Sequence, residues 1–430
     1  MPLTLNACAE KWVSICNRAT SRRRIHVWMG PVALAWLATT GVPAQAAASG
    51  ALPARVLPAP SQVMLSPSAQ ALTPQGAPWR EAERAWRRNP SDEALAVRYA
   101  RAAFVQGLNE GDLRWYGAAK AALLPWWDAP RLSAAGHFMR GLVRQGFHDF
   151  VGGLADLDAA ISLEPDRAEA WSWRFSLHLL LADMAAARRD CVAMAQRFGT
   201  DEGQACEATL LYRSGRAAEA LPLFARLVAL PNQQGEGAQA WLRFHQGHAL
   251  WVAGLPTQAA AVWRTHLGVA PRSHGIRLAL VELLNASGQH ANALRWVDVP
   301  NPSDALLVQQ WLANRALNTA QAAALAANVA QRLAAQEARG EGLIERPQMV
   351  FFIRGGQDVA KGLQLAQANW AEQREPADGV LLAEAALALK QPRAAQPVLD
   401  WATATGYTDP QLQPLLAQLR QSLATDQGGR

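Results

Sequence analysis

Beyond residue 46 the chain carries His137, His148, His178, His245, His248, His266, His274 and His290. Only His245 and His248 stand at a spacing with chemical meaning: i and i+3 on one helix, where two imidazoles can share a metal ion. No H-E-x-x-H pattern and no thiolate pair completes such a site, so no metal ligand set is expected, and a groove or surface pair is the simpler reading. A G-x-S-x-G elbow and a P-loop are both missing, and Gly152-Gly153 lacks the strand and third glycine of a dinucleotide fingerprint. Asp156, Asp158 and Asp166 read as solvated carboxylates on and just after a helix. The aromatics remain. Trp171, Trp241, Trp251, Trp263 and Trp370 could stack on a ligand, but buried rings that knit helices together explain most of them. These residues give no catalytic constellation, so neither an enzyme nor a cofactor is expected.

The elements that position these residues are helices. Half of the 430 residues are hydrophobic and alanine dominates them, which suits close helix–helix packing; long Val/Ile/Thr runs are few, so strands are not expected. The stretch 237–271 shows the pattern best. Trp241, Phe244, Ala249 and Leu250 recur at helical spacing, Gly254 breaks the run, Ala259, Val262 and Trp263 resume it, and Pro271 ends it. This helical hairpin of about 34 residues resembles the tetratricopeptide repeat. That family's small, glycine, alanine, aromatic and proline positions fall on Gly247, Gly254, Ala259, Trp263 and Pro271. Further repeats are marked by Gly141, Ala160 and Pro165, by Trp171, Ala187 and Cys191, by Gly215, Ala220 and Phe224, and by Gly288, Ala293 and Val297. Their registers step by 34, 33, 39 and 34 residues, the long step coming from the insertion at 230–237.

The resemblance implies an all-α fold, a right-handed α-solenoid of antiparallel helix pairs, with repeats over 79–302 and degenerate helical repeats over 303–424. Residues 425–430 are expected to be a disordered tail. Asn89-Pro90-Ser91-Asp92 is expected to join the two helices of a first, degenerate hairpin. The family's concave positions fall on Trp241, Phe244, His248 and Trp251, which become the expected groove for a protein or peptide partner, whereas Trp263 on the second helix is expected to be core. Two other roles fit the same array: a structural accessory subunit of a cell-envelope biogenesis or export complex, and a carbohydrate-binding module whose groove aromatics stack on sugars.

The first 46 residues read as an export signal. Arg22–Arg24 precede an apolar run, 25–40, and Ala44-Gln-Ala46 supplies a cleavage site. The run is shorter than the ~20 residues of a membrane span. A mature protein without a membrane span, beginning at Ala47 and periplasmic or secreted, is therefore expected. The general secretory route fits better than the twin-arginine one, because His26 and Val27 depart from the twin-arginine pattern. Residues 47–78, rich in Ala, Pro and Ser, read as a disordered linker. Removing 1–46 lowers the formal net charge from +6 to about +2, which is no nucleic-acid footprint. Cys8 and Cys16 leave with the signal. That isolates Cys191 and Cys206, on adjoining antiparallel helices on either side of the turn at 199–203, as a disulfide pair.

Overall fold

The computed structural model describes residues 78–112, 114–230, 235–338 and 346–428. The expected signal, nearly all of the linker and the breaks at 231–234 and 339–345 lie outside the described residues. Among the described residues there are twenty α-helices and no strand, and no helix is long and apolar enough to cross a membrane. The chain is an α-solenoid of antiparallel helix pairs.

Helix α1 (Pro78–Arg88) covers the start of the stack, and α2 (Glu93–Glu110) pairs with α3 (Arg114–Leu123). Helices α1 and α2 also pack together across Asn89–Asp92, as expected, with Trp86 stacked on Tyr99 at 5.0 Å and Arg98 Nη2 donating to Glu81 at 2.8 Å. Gly111, at φ 65°, reverses the chain after α2, and the Tyr116 ring and the Trp115 Cβ close on Gly107, where a Cβ would come within 2.8 and 3.0 Å of them. Trp79 of α1 packs edge-on against Trp115, with ring centroids 4.8 Å apart. The pairs that follow are α4 (Ala134–Gly146) with α5 (Phe150–Leu163), α6 (Ala168–Leu180) with α7 (Met184–Phe198), α8 (Thr200–Arg213) with α9 (Ala217–Ala229), α10 (Gly235–Val252) with α11 (Pro256–Val269), and α12 (His274–Ala286) with α13 (His290–Val297). Beyond them come α14 (Asp304–Ala316) with α15 (Ala322–Ala338), α16 (Arg346–Ile353) with α17 (Val359–Glu372), α18 (Pro376–Ala388), α19 (Gln396–Thr405) and α20 (Leu412–Gly428). Helix α20 thus runs past residue 424 into the expected tail.

Each turn inside a pair contains one left-handed residue. His148, Ala182, Gly215, Gly254 and Gly288 hold this place in the five central pairs, repeating the steps of 34, 33, 39 and 34. Glycine takes φ > 0 without steric cost, and His148 and Ala182 adopt it under the pressure of the packed hairpin. Asp149 and Asp183 follow directly and cap α5 and α7, accepting from the backbone N–H of Gly152 and Ala186 at 2.9 Å.

Within a pair, packing follows size. A Cβ at Gly247 of α10 would lie 2.1 Å from Nε1 of Trp263, so the glycine is what lets the fully buried ring of Trp263 lie against α10. One polar cluster departs from expectation. Asp156 is buried, not solvated: its carboxylate takes His137 Nδ1 at 2.8 Å and Arg140 Nη2 and Nε at 2.6 and 2.8 Å. Arg140 also donates to the carbonyls of Trp126 and Ala129, so the chain between α3 and α4 wraps over the carboxylate and closes it from water. Cys191 of α7 and Cys206 of α8 are joined by a disulfide with Cα atoms 5.2 Å apart, beside Gly203, where a Cβ would meet Ala195 at 2.3 Å.

Candidate binding site where the solenoid closes

The first helices of the pairs line the inner side, and the chain curls until its C-terminal part reaches their turns. The backbone N–H of Arg374 donates to the carbonyl of Leu180 at 2.9 Å, and Thr408 Oγ1 donates to the carbonyl of Gly215 at 3.2 Å. Between them Arg213 Nη2, at the end of α8, meets Glu375 Oε1 at 2.5 Å, 162 residues away in sequence. Glu375 sits at the start of α18. Its other oxygen takes Arg346 Nη2 at 2.7 Å, and Arg346 Nε reaches Asp378 Oδ1 at 2.7 Å. Burial alone pushes the Glu375 carboxyl up, but the two guanidinium groups outweigh it and hold it below the usual range.

Above this network lies a cavity of about 110 Å³. Helix α10 presents Phe244, His245, His248, Trp251 and Val252 to it, residues that share a face by helical spacing. Tyr212 and Arg213 come from α8, Glu282 and Ala286 from α12, Arg346 and Val350 from α16, Arg354 from the turn just after it, and Val380 and Leu381 from α18. Tyr407, Asp409 and Gln411 lie between α19 and α20. The rings are in mutual contact: Phe244 to His248 4.4 Å, His248 to Trp251 6.2 Å, and Trp251 edge-on to Trp263 6.2 Å. Tyr212 Oη lies 2.7 Å from His245 Nδ1. Burial, with help from His248 and Arg213, drives the His245 imidazole well below its ordinary value; burial and Arg213 take His248 to about 3. Both rings are therefore neutral, and the proximity of cations disfavours charging them. Glu282 moves the other way, pushed up by burial to about 7 against the pull of Arg346 and Arg354.

The four expected groove residues separate here. Phe244, His248 and Trp251 line the cavity; Trp241 does not. Its ring is buried 4.2 Å from that of His245 in the cluster that holds Phe224 and Leu227 of α9, because the preceding repeat covers this end of α10. Nor is the surface an open groove at this point. Phe244 and His248 are buried, since α16, α18 and the segment 407–411 occupy the inner side, and only Trp251 is half-exposed. The pair His245 and His248 is likewise internal, with His245 committed to Tyr212. Among the described residues no group of His, Cys, Asp and Glu forms a metal cluster. Arg213, Glu282, Arg346, Glu375 and Tyr407 were not foreseen. The run Glu375-Pro376-Ala377-Asp378 did mark a helix start, with proline in the first turn and an acid behind it, but nothing local says that these carboxylates receive arginines from α8 and α16.

No family model matches this sequence, and no curated protein does. Several solved structures are similar at low identity. A tetratricopeptide repeat protein from Parabacteroides merdae aligns at 14% identity over 76% of this chain and 99% of its own, with a TM-score of 0.31. The Cut9–Hcn1 hetero-tetramer of APC/C aligns at 12% over 80% and 86%, TM-score 0.29, and the P58(IPK) TPR domain at 14% over 78% and 99%, TM-score 0.22.

Proposed function

We propose that this chain is an exported, non-catalytic helical-repeat protein that receives a protein or peptide partner at the mouth of its central cavity. One observation carries the reading. Trp251 is half-exposed at the rim, with Phe244 and His248 beneath it and Ala286 exposed on α12, whereas Trp263 and Trp311, the aromatics that hold repeats together, are fully buried. A large ring kept partly in water beside a lined cavity is what a binding surface needs and a core does not. The leader at 1–46 and the pairing of Cys191 with Cys206 support an extracytoplasmic location, because such bonds persist in oxidising compartments.

A photo-crosslinking residue placed at Trp251, with a second at Val151 on the outer side of α5 as control, tests this in the envelope fraction. The expected result is a polypeptide adduct from position 251 and none from 151. Adducts only from Val151, which is 80% exposed, make the chain an accessory subunit that docks through its convex face. Capture of a glycan instead of a polypeptide at 251 replaces the partner class. N-terminal sequencing of the exported protein should begin at Ala47; a retained Met1 overturns the export reading.

A further inference from the structure

The charges around the cavity do not all have partners. Arg213 and Arg346 share Glu375, Arg346 also holds Asp378, and Arg354 Nε and Nη2 hold Glu384 at 2.9 and 3.1 Å. Asp409 accepts from the backbone N–H groups of Gln411 and Leu412 at the start of α20. Each guanidinium is thus already matched by a carboxylate. Glu282 lines the cavity without a hydrogen bond or a close salt bridge to any described residue, and only the charges of Arg346 and Arg354 act on it from a distance. His245 is 2% exposed, and its Nε2 has no hydrogen-bond partner.

The rings show the same surplus. Elsewhere the protein covers several half-buried aromatics with its own cations: Arg174 lies 4.6 Å from the Trp171 centroid, and Lys120 lies 4.9 Å from Trp127 and 4.7 Å from Phe147. Among the described residues no cation lies over Trp251, Phe244 or Tyr407. A carboxyl without a hydrogen bond, in a cavity also lined by aromatic rings that carry no cation, is an arrangement that can recognise an ammonium ion. The space limits its size. An apolar cavity of 150 Å³ holds benzene, so one of 110 Å³ takes a body of about five non-hydrogen atoms.

We propose that the cavity receives a primary alkylammonium group, from a free small amine or from the lysine side chain of a partner, with Glu282 as its counter-ion and Trp251, Phe244 and Tyr407 around its methylenes. This deepens the binding reading given above and rests on it. A lysine side chain is in effect n-butylammonium, which matches the space.

Isothermal titration of the mature protein with n-butylamine, with sodium butyrate, with the peptide acetyl-Gly-Gly-Lys-Gly-Gly-amide and with its Nε-acetyl-lysine form decides the matter. The amine and the lysine peptide should bind, and butyrate and the acetylated peptide should not. Glu282→Gln, checked for unchanged helicity, should weaken binding by about 10- to 100-fold, as loss of a charge-assisted hydrogen bond does. Tighter binding of the peptide than of the amine identifies the partner's lysine as the source, and the reverse identifies a free amine. Binding of butyrate, equal binding by Glu282→Gln, or no binding of either ammonium ligand overturns the proposal. If the ligands fail while Trp251 still crosslinks a polypeptide, only the ammonium chemistry falls and the partner site stands.

Discussion

Helices α10 and α11 meet through size. Gly247 removes a side chain, Trp263 fills the space, and the indole N–H finds the carbonyl of Phe244 at 3.3 Å. The closing contact between α8, α16 and α18 is made by charge, through Arg213, Glu375, Arg346 and Asp378. The first contact joins residues 16 apart that cannot avoid one another once the hairpin forms. The second joins residues from distant parts of an alanine-rich solenoid whose inner surfaces offer many similar apolar alternatives. Buried ion pairs lose more when one partner is removed than they gain when formed, so they select one docked register over the others. The two regions teach that repetition builds the solenoid, whereas its curvature onto itself depends on a few particular residues.

The largest effect is expected inside a repeat. Trp263→Ala should lower the stability of the whole stack by about 3–5 kcal/mol, the range for truncating a fully buried aromatic, measured by urea unfolding. A loss below about 1 kcal/mol would mean that neighbouring repeats are not held by this ring. Removing the disulfide with Cys191→Ser and Cys206→Ser should cost about 3 kcal/mol for a loop of 15 residues. Alkylation of the unfolded, unreduced chain from Ala47 onward should find no free thiol, and two free thiols would remove that contribution.

Glu375→Gln keeps the shape and deletes the charge that Arg213 and Arg346 share. It should cost about 2–4 kcal/mol at the closing contact while the repeats from α4 to α11 keep their helicity, so that urea unfolding by circular dichroism splits into two steps. A single transition, shifted but not split, would show that closure and repeats form one cooperative unit.

The smallest of these effects depends on pH. The Glu282 carboxyl stands at about 7 in the folded chain, above its value of about 4.3 when unfolded. The folded state therefore binds more protons between these values. Its contribution is complete below pH 4 and is lost as pH rises through 7. Glu282→Gln should leave the melting temperature nearly unchanged below pH 4 and raise it at pH 8 by the equivalent of about 1–3 kcal/mol. Equal melting of the two proteins at pH 8 would place Glu282 in water. The neutral histidines act with the opposite sign. His248 and His274, at about 3 and 4, contribute stability above pH 6.5 that fades as pH falls through their folded values.

The repeat register was legible because its steps survive changes of residue type. His148 and Ala182 stand where the resembled family places glycine, yet both take the left-handed turn, since the spacing of the helices, not the residue, demands it. Trp263 was legible for a related reason: a small residue 16 positions before it announces the space it fills. Trp241 was misplaced because a concave position in one repeat says nothing about how far its predecessor overlaps it. Asp156 reads as a surface acid until Arg140 is seen to turn inward and bind the carbonyls of Trp126 and Ala129, a contact that crosses a loop without periodicity. The cavity itself was hidden for the most basic reason. Its walls come from α8, α10, α12, α16 and α18, and a pattern with a period of 34 residues describes neighbours only.

The central claim is that the C-terminal helices close onto the inner side of the repeats, and the amide of Arg374 reports on it most directly. It lies beyond the end of α17, and its hydrogen-bond acceptor is the carbonyl of Leu180, 194 residues away. Hydrogen exchange at this amide should be slow in the wild-type protein and should accelerate by about 30-fold or more in Glu375→Gln, corresponding to the ~2 kcal/mol or more lost at the contact, while the amides of α4 and α5 keep their protection. Exchange of the Arg374 amide at the rate of an unprotected loop in the wild-type protein would contradict the closure and the site built upon it.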